Sequence, residues 1–256
     1  MKASAPAPRP TVAGAFRGAA RLTTVLAGAA LAELVVAALA WRTGLWHYGT
    51  SLMLMQWCAT TALAGVAAGT IAFFGRQRLS AALGSATLLS LLACVLLFYM
   101  ASHDLVAAQL GLHDISTDTE SPPRFVALLP RRAAANSFPP RYPGPRAAEL
   151  QKAAYPDLAP LHIERPPEQA FALALAAAER MPRWAIAANE PATGRIEATA
   201  RSRWLGFKSD IVVRVAAEGA GSRVDVRAVS RLRFGDFGIN AERIRLYLAA
   251  VREAAE

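Results

Sequence analysis

Apolar positions change their spacing along this chain, and the changes mark out its elements. Leu22 to Trp41, Leu52 to Phe74 and Leu79 to Met100 are near-continuous apolar runs. Each is about twenty residues long, the length a helix needs to cross the roughly 30 Å hydrocarbon core of a bilayer. Three spanning helices are expected, and the length of the first run, with two more behind it, favours a span over a cleaved leader. From residue 161 the spacing changes: Leu161 to Glu164, Trp184 to Ala188 and Asp210 to Val215 read as short strands. Pro166-Pro167-Glu168 opens a helix whose inner stripe is Phe171, Ala174, Leu175 and Ala178, and Pro182 stops it.

Two strands alternate strictly. In one, Arg195, Glu197, Thr199, Arg201 and Arg203 face away from Ile196, Ala198, Ala200, Ser202 and Trp204. In the other, Arg223, Asp225, Arg227, Arg231 and Arg233 oppose Val224, Val226, Ala228, Ser230 and Leu232. Such alternation predicts an antiparallel sheet with one apolar face. Pro191-Ala192-Thr193-Gly194 and Gly219-Ala220-Gly221-Ser222 are the turns. Asn240 is placed to cap a last helix carrying Ile244, Tyr247, Leu248 and Val251 at helical spacing. The expected fold is α+β: three transmembrane helices, then a two-layer sandwich of an antiparallel sheet with two helices.

Between these regions lies His113-Asp114-Ile115-Ser116-Thr117-Asp118-Thr119-Glu120-Ser121-Pro122-Pro123-Arg124-Phe125, followed by a Pro-rich stretch to Pro160 with one short helix near Arg146 to Ala154. This part is expected to wrap irregularly. The predicted organisation is therefore a tail (1–21), a three-helix region (22–104), a junction and lead-in (105–160) and an α+β domain (161–256).

Composition fits a mixed architecture, since 54% of the 256 residues are hydrophobic and 18% are charged. The net charge of +9 divides into +5 over residues 1–112 (seven Lys/Arg, two acids) and +4 over residues 113–256 (21 against 17). The soluble part is only mildly basic, so no nucleic-acid partner is expected. Lys2, Arg9, Arg17 and Arg21 precede the first run, Arg76 and Arg78 lie between the second and third, and only Arg42 lies between the first and second. The positive-inside rule then puts the N-terminus in the cytoplasm of a bacterial inner (plasma) membrane and the C-terminal domain on the periplasmic or extracellular side.

Candidate chemistry is sparse. Asp114, Ser116, Asp118 and Glu120 project from one side if the junction is extended, giving a row of oxygens suited to turns and caps or to Ca²⁺ or Mg²⁺. The row lacks the glycine and the Asp spacing of an EF-hand, and neither a metal nor a cofactor is expected. Arg195, Arg227, Asp210 and Asp225 lie on the charged sheet face, where arginine forks suit an anionic ligand and cross-strand ion pairing on a solvated face accounts for the same residues. Glu33 sits near the middle of the first run. A carboxyl there is a functional candidate or a protonated hydrogen-bonding group reaching Gln56 or a Thr. Gly65-Val66-Ala67-Ala68-Gly69 is a small-xxx-small pattern. Cys58 and Cys94, the two cysteines, both lie in apolar runs. No Gly-x-Ser-x-Gly, P-loop or dinucleotide fingerprint occurs, and Gly235-Asp236-Phe237-Gly238 echoes a kinase motif with nothing else of a kinase.

The junction motif, together with Ala154-Tyr155-Pro156-Asp157, Arg195-Ile196-Glu197-Ala198-Thr199, Phe207-Lys208-Ser209-Asp210, Val224-Asp225-Val226-Arg227 and Gly238-Ile239-Asn240-Ala241, resembles the recurring motifs of the family named domain of unknown function 1499, over about residues 113 to 250. The resemblance implies an envelope or plastid setting, often behind membrane helices, and no assigned activity. Ser209-Asp210 departs from the paired acids that follow Phe-Lys in the family, as do Phe234 and Phe237 from smaller or aliphatic residues.

The leading expectation is a membrane protein whose outer domain binds or assembles an envelope protein or a lipid, with the bilayer as its other partner. The alternative is a metal-dependent envelope enzyme using Asp114, Asp118 and Asp210. A third reading makes the Glu33 bundle the working part. Converging carboxylates in a cleft would favour the enzyme, and an apolar groove would favour binding.

Overall fold

In the computed structural model, residues 12–46, 48–74, 81–102, 112–135, 137, 139–203, 206–231 and 238–256 are described. Most of the basic N-terminal tail, the Arg76 to Arg78 turn and the Asp236-Phe237 pair lie outside them. The chain divides into two units, Met1–Met100 and Ala101–Glu256.

The first unit holds α1 (Val12–Arg42), α2 (Tyr48–Phe74) and α3 (Ala81–Ser102). By length and composition, Arg17–Arg42 and Gly49–Phe73 are apolar enough to cross a membrane. A helix also forms over the third apolar run, but its described apolar stretch, Ala86–Val95, is shorter than a span. The described residues thus carry two candidate spans where the sequence predicts three. Polar side chains in α3 turn toward α2: a Cβ at Gly65 would meet Ser90, and one at Gly69 would meet Thr87. The small-xxx-small pair is where these helices approach closely. Cross-helix hydrogen bonds join α1 and α2 at Ser51, which donates to the Ala37 carbonyl at 2.7 Å, and at Cys58, which donates to that of Ala30 at 3.1 Å.

In the second unit the strands are β1 (Asp114–Ser116), β2 (Leu161–Ile163), β3 (Trp184–Glu190), β4 (Arg195–Arg201), β5 (Lys208–Glu218) and β6 (Gly221–Ser230). They form one antiparallel sheet in the order β1-β6-β5-β4-β3, with β2 also pairing β6. Its helices are α4 (Leu129–Ala134), α5 (Pro145–Ala154), α6 (Pro167–Arg180) and α7 (Ile239–Ala255). Both α6 and α7 lie on the apolar face, where Ile115, Ile196, Ile211, Val213, Val224 and Val226 meet Phe171, Ala174, Ile244, Tyr247 and Val251. Tyr247 ties the two helices together by donating to the Ala174 carbonyl at 2.9 Å, and its ring stacks on Trp184. Burial raises its phenol far above the usual value.

Two local expectations change. Asn240 does not cap α7: Gly238 holds the cap position with φ of 69°, a conformation glycine adopts without strain, and Asn240 instead donates to the His113 carbonyl. The junction and lead-in are also more ordered than the prolines suggest, since beside the helix expected near Arg146 to Ala154 they contribute the edge strand β1 and a second helix, α4. Gln151 of α5 fixes that edge strand, accepting from the Ser116 N–H at 2.9 Å and donating to its carbonyl at 2.7 Å.

Gly194 closes the β3–β4 connection with φ of 62°, and a Cβ there would strike the Val215 carbonyl. Gly219, with φ of 60°, has open space around it. Gly219→Ala should therefore lose only the handedness term of about 1–2 kcal/mol, whereas Gly194→Ala adds a backbone clash. Thermal unfolding of the purified protein should show a clearly larger drop in Tm for Gly194→Ala. Equal drops would mean that the Gly194 approach is not tight.

Candidate functional site

The sheet face turned away from α6 and α7 carries the charges read from the alternation, but its middle, with Glu197, Asp210, Asp225 and Arg227, is buried beneath residues 117–135 and 139–143 instead of solvated. Burial forces each charge to find a partner, because an unpaired ion in a low-dielectric interior is far more costly than a paired one. At the centre, Phe125 and Leu128 press on Val212 and Val229 in a small second core. Arg132 and Arg227 flank it with guanidinium carbons 5.2 and 5.5 Å from the Phe125 ring centre, a cation–π arrangement.

Arg227 makes a two-pronged contact with Asp114, Nε to Oδ1 at 2.8 Å and Nη2 to Oδ2 at 2.7 Å. It also donates to the carbonyls of Pro123 (3.1 Å) and Pro140 (2.9 Å). Both side chains of the pair are 2% exposed. One guanidinium thus holds β1, the double-proline segment and residue 140 against β6.

Asp210 receives three donors: Thr199 at 2.8 Å, Arg132 at 2.8 Å, and Arg231 through both Nε and Nη2. Burial lowers the Arg132 pKa, opposed by the adjacent Asp210 charge. Glu197 is fully buried and satisfies a turn instead of a ligand. Its Oε1 accepts from the N–H groups of Val126 (2.8 Å) and Ala127 (3.0 Å), and its Oε2 from that of Leu128 (2.9 Å). Arg195, on the same strand, lies against Glu197 at 3.2 Å and also reaches Glu190.

Asp118 and Asp225 share two arginines. Arg214 lies 2.9 Å from Asp118 and 2.7 Å from Asp225, and Arg223 lies 3.0 Å from each. Asp118 also accepts from the Glu120 and Ser121 N–H groups at 3.0 and 2.8 Å. Burial pushes its carboxyl up, but the Ser121 N–H, Arg214, the Glu120 N–H and Arg223 together hold it below the usual carboxylate range. Glu120 is exposed and lies 3.9 Å from Lys152. The predicted row therefore separates, Asp114 to Arg227, Asp118 to Arg214 and Arg223, Ser116 to the Asp118 carbonyl and Glu120 toward Lys152, and does not converge on one point. Among the described residues, no three His, Cys, Asp or Glu side chains are grouped to hold a metal ion.

Over this network opens a cleft of about 990 Å³. Pro122, Phe125, Leu129, Pro140 and Tyr142 supply apolar wall, while Arg124, Arg141, Lys152 and Arg227 supply positive charge. Glu120 and Glu149 are the acids that line it. Tyr142 lies over Arg227 at 5.6 Å, and burial, then the Asp114 charge, push its phenol up to about 12, so it stays protonated.

Arg227 is the one sequence-predicted site residue that lines the cleft floor, and Glu120 lies on its rim. Asp114, Asp118, Asp210, Asp225 and Arg195 serve the cover beneath. Phe125, Arg132, Tyr142 and Gln151 were not singled out from sequence, although Leu129-Pro130 ahead of Arg132 is a helix start that the surrounding prolines obscure. In the first unit, the Glu33 carboxyl accepts from Thr61 at 3.3 Å, one of the hydrogen-bonding threonines open to it, and Gln56 is not its described partner.

Removing one member of a buried ion pair leaves the other charge stranded, at about 3–5 kcal/mol. Asp114→Ala should accordingly lower the Tm of the purified protein by several degrees. Added Ca²⁺ or Mg²⁺ should leave the wild-type Tm unmoved, whereas a metal bound only to the folded state would raise it. Asp118, whose folded pKa is depressed, contributes stability that is present above its unfolded pKa and lost as pH falls through the folded value. Asp118→Asn should flatten that acid-side decline. Cation-dependent stabilisation abolished in these variants would replace the structural role with a metal site.

No curated protein matches the chain. Among solved structures, the crystal structure of TTHA0849 from Thermus thermophilus aligns at 15% identity over 38% of this chain and 97% of that one, with a TM-score of 0.25. The model for "Protein of unknown function (DUF1499)" matches residues 114–251, from the first residue of β1 to within the last turns of α7. That span includes every element of the sheet, its covering segment and the cleft. Matched over more than half its length, the chain belongs to the DUF1499 family.

Proposed function

We propose that this chain is a membrane-anchored binding or assembly module, held by α1, α2 and α3, whose family domain takes an anionic partner with an apolar body in the cleft above Arg227. The observation that carries this reading is the cleft lining. Apolar wall from Phe125, Leu129, Pro122, Pro140 and Tyr142 stands beside Arg124, Arg141 and Lys152, a combination suited to a lipid or to an acidic segment of an envelope protein. The metal-dependent enzyme reading has less support, because Asp114, Asp118 and Asp210 are each already neutralised by arginine and none lines the cleft.

Helix α3 runs 22 residues, enough to cross a bilayer core. On this reading three crossings with a cytoplasmic N-terminus would put the domain on the outer side, and the charge bias of the loops supports that orientation. Alkaline phosphatase fused after Glu256 should be active in cells, and a fluorescent protein at the same place dark. The reverse pattern would overturn this topology.

A photo-crosslinking residue in place of Tyr142 should trap a discrete lipid or protein partner in cells. Arg124→Glu with Lys152→Glu should cut that yield about tenfold or more, as expected when two attractive charges become repulsive. A crosslinker at Arg252, on the far side of the domain, serves as control. Equal labelling from both positions would remove the cleft as the binding site.

A further inference from the structure

The end of the sheet where β4 finishes and β5 starts carries a row of cations that the cleft does not use. Arg201 and Lys208 are direct cross-strand partners. On one side the Arg201 N–H donates to the Arg183 carbonyl, and on the other the Arg231 N–H donates to that of Lys208. Arg183, Arg201, Lys208 and Arg231 thus occupy adjacent positions on four successive strand ends. Like charges directly opposite each other weaken a sheet. Among the described residues the acid that reaches this row is Asp210, buried behind it and bonded to Arg132 and Arg231, so that Arg231 is the neutralised member of the row. Lys208 makes no side-chain ion pair among the described residues. Its burial, with Arg201 and Arg231 beside it, lowers its pKa against the pull of Asp210. The opposite end of the sheet is mixed in sign, with Glu190 on Arg195 and Glu218 on His162.

The position of the row along the chain bears on its partner. The Ser230 N–H donates to the His113 carbonyl, so β1 enters the sheet at this same end. Residues 103–112 separate the end of α3 from that point and reach at most about 35 Å.

We propose that Arg183, Arg201 and Lys208 of this row dock on anionic phospholipid headgroups of the membrane that holds the helices. This rests on the membrane-anchored reading. Arg183, Arg201 and Lys208 make no side-chain ion pair among the described residues, the chain from α3 enters the sheet at this end, and anionic headgroups supply the missing charge. Docking there leaves the cleft, walled by residues of the lead-in, free for its own partner.

The test uses the full chain in lipid nanodiscs, either zwitterionic or about one-third phosphatidylglycerol, with amide hydrogen exchange as the readout. Each cation near an anionic surface is worth about fivefold in occupancy. Exchange over residues 199–209 should slow in the anionic discs only, and Arg201→Ala with Lys208→Ala should weaken that protection about 25-fold. Exchange in α7 should not change, which shows that the variant is folded. Insertion with identical exchange in both discs overturns the docking and leaves the anchoring intact. Protection reproduced on zwitterionic discs by inorganic phosphate alone means the row is a free-anion site, and also overturns it. A chain that fails to enter discs at all overturns the anchored reading and this inference together.

Discussion

A guanidinium shut away from water must meet a carboxylate, and that requirement organises the whole C-terminal unit. Arg227 sits in the middle of the last strand, deep under the cover, and among the described residues Asp114 at the domain's first strand neutralises it. Because the two positions are 113 residues apart, one ion pair closes the chain on itself. The other pairs repeat the device at a smaller scale: Asp210 recruits Arg132 from α4, Asp118 recruits Arg214 and Arg223, and Glu197 gathers three backbone N–H groups from residues 126–128. Replacing such pairs by apolar residues would often be as stable. What charge adds is placement, because a fork on a carboxylate tolerates few geometries.

Much of the architecture could be read from periodicity. The alternation along β4 and β6 marks two faces, and Ile196, Ala198, Val224 and Val226 are buried on the side it assigns to the core. The stripes Phe171-Ala174-Ala178 and Ile244-Tyr247-Leu248-Val251 lie against them. Alternation reports the chemistry of a face, however, not what lies over it. Nothing local to Arg227 or Glu197 tells whether water or another segment covers them. The cover itself has no period, since its prolines and its bonds to distant arginines leave no repeating signal. Phe125 and Arg132 take their roles from partners that lie far away in sequence.

Small local choices explain the remaining differences. Asn240 has the right side chain for a helix cap, but Gly238 two residues earlier can take the left-handed backbone, so the asparagine is free to bond His113. In the first unit, Ser90 and Thr87 of α3 face Gly65 and Gly69 of α2, so the small-xxx-small pair receives polar side chains of the neighbouring helix.

The pairing of β1 with β6 has a consequence for how the protein is made. β1 leaves the ribosome before any other strand of its sheet, yet the strand it pairs with is the last to be synthesised. Until β6 arrives, Asp114 has no arginine and the lead-in has nothing to lie on. The stretch of the domain nearest the helices is therefore made first and secured last, and non-local closure of this kind is slow. For that interval the sheet edge that β1 will occupy is unfinished, and an unfinished edge is open to pairing elsewhere.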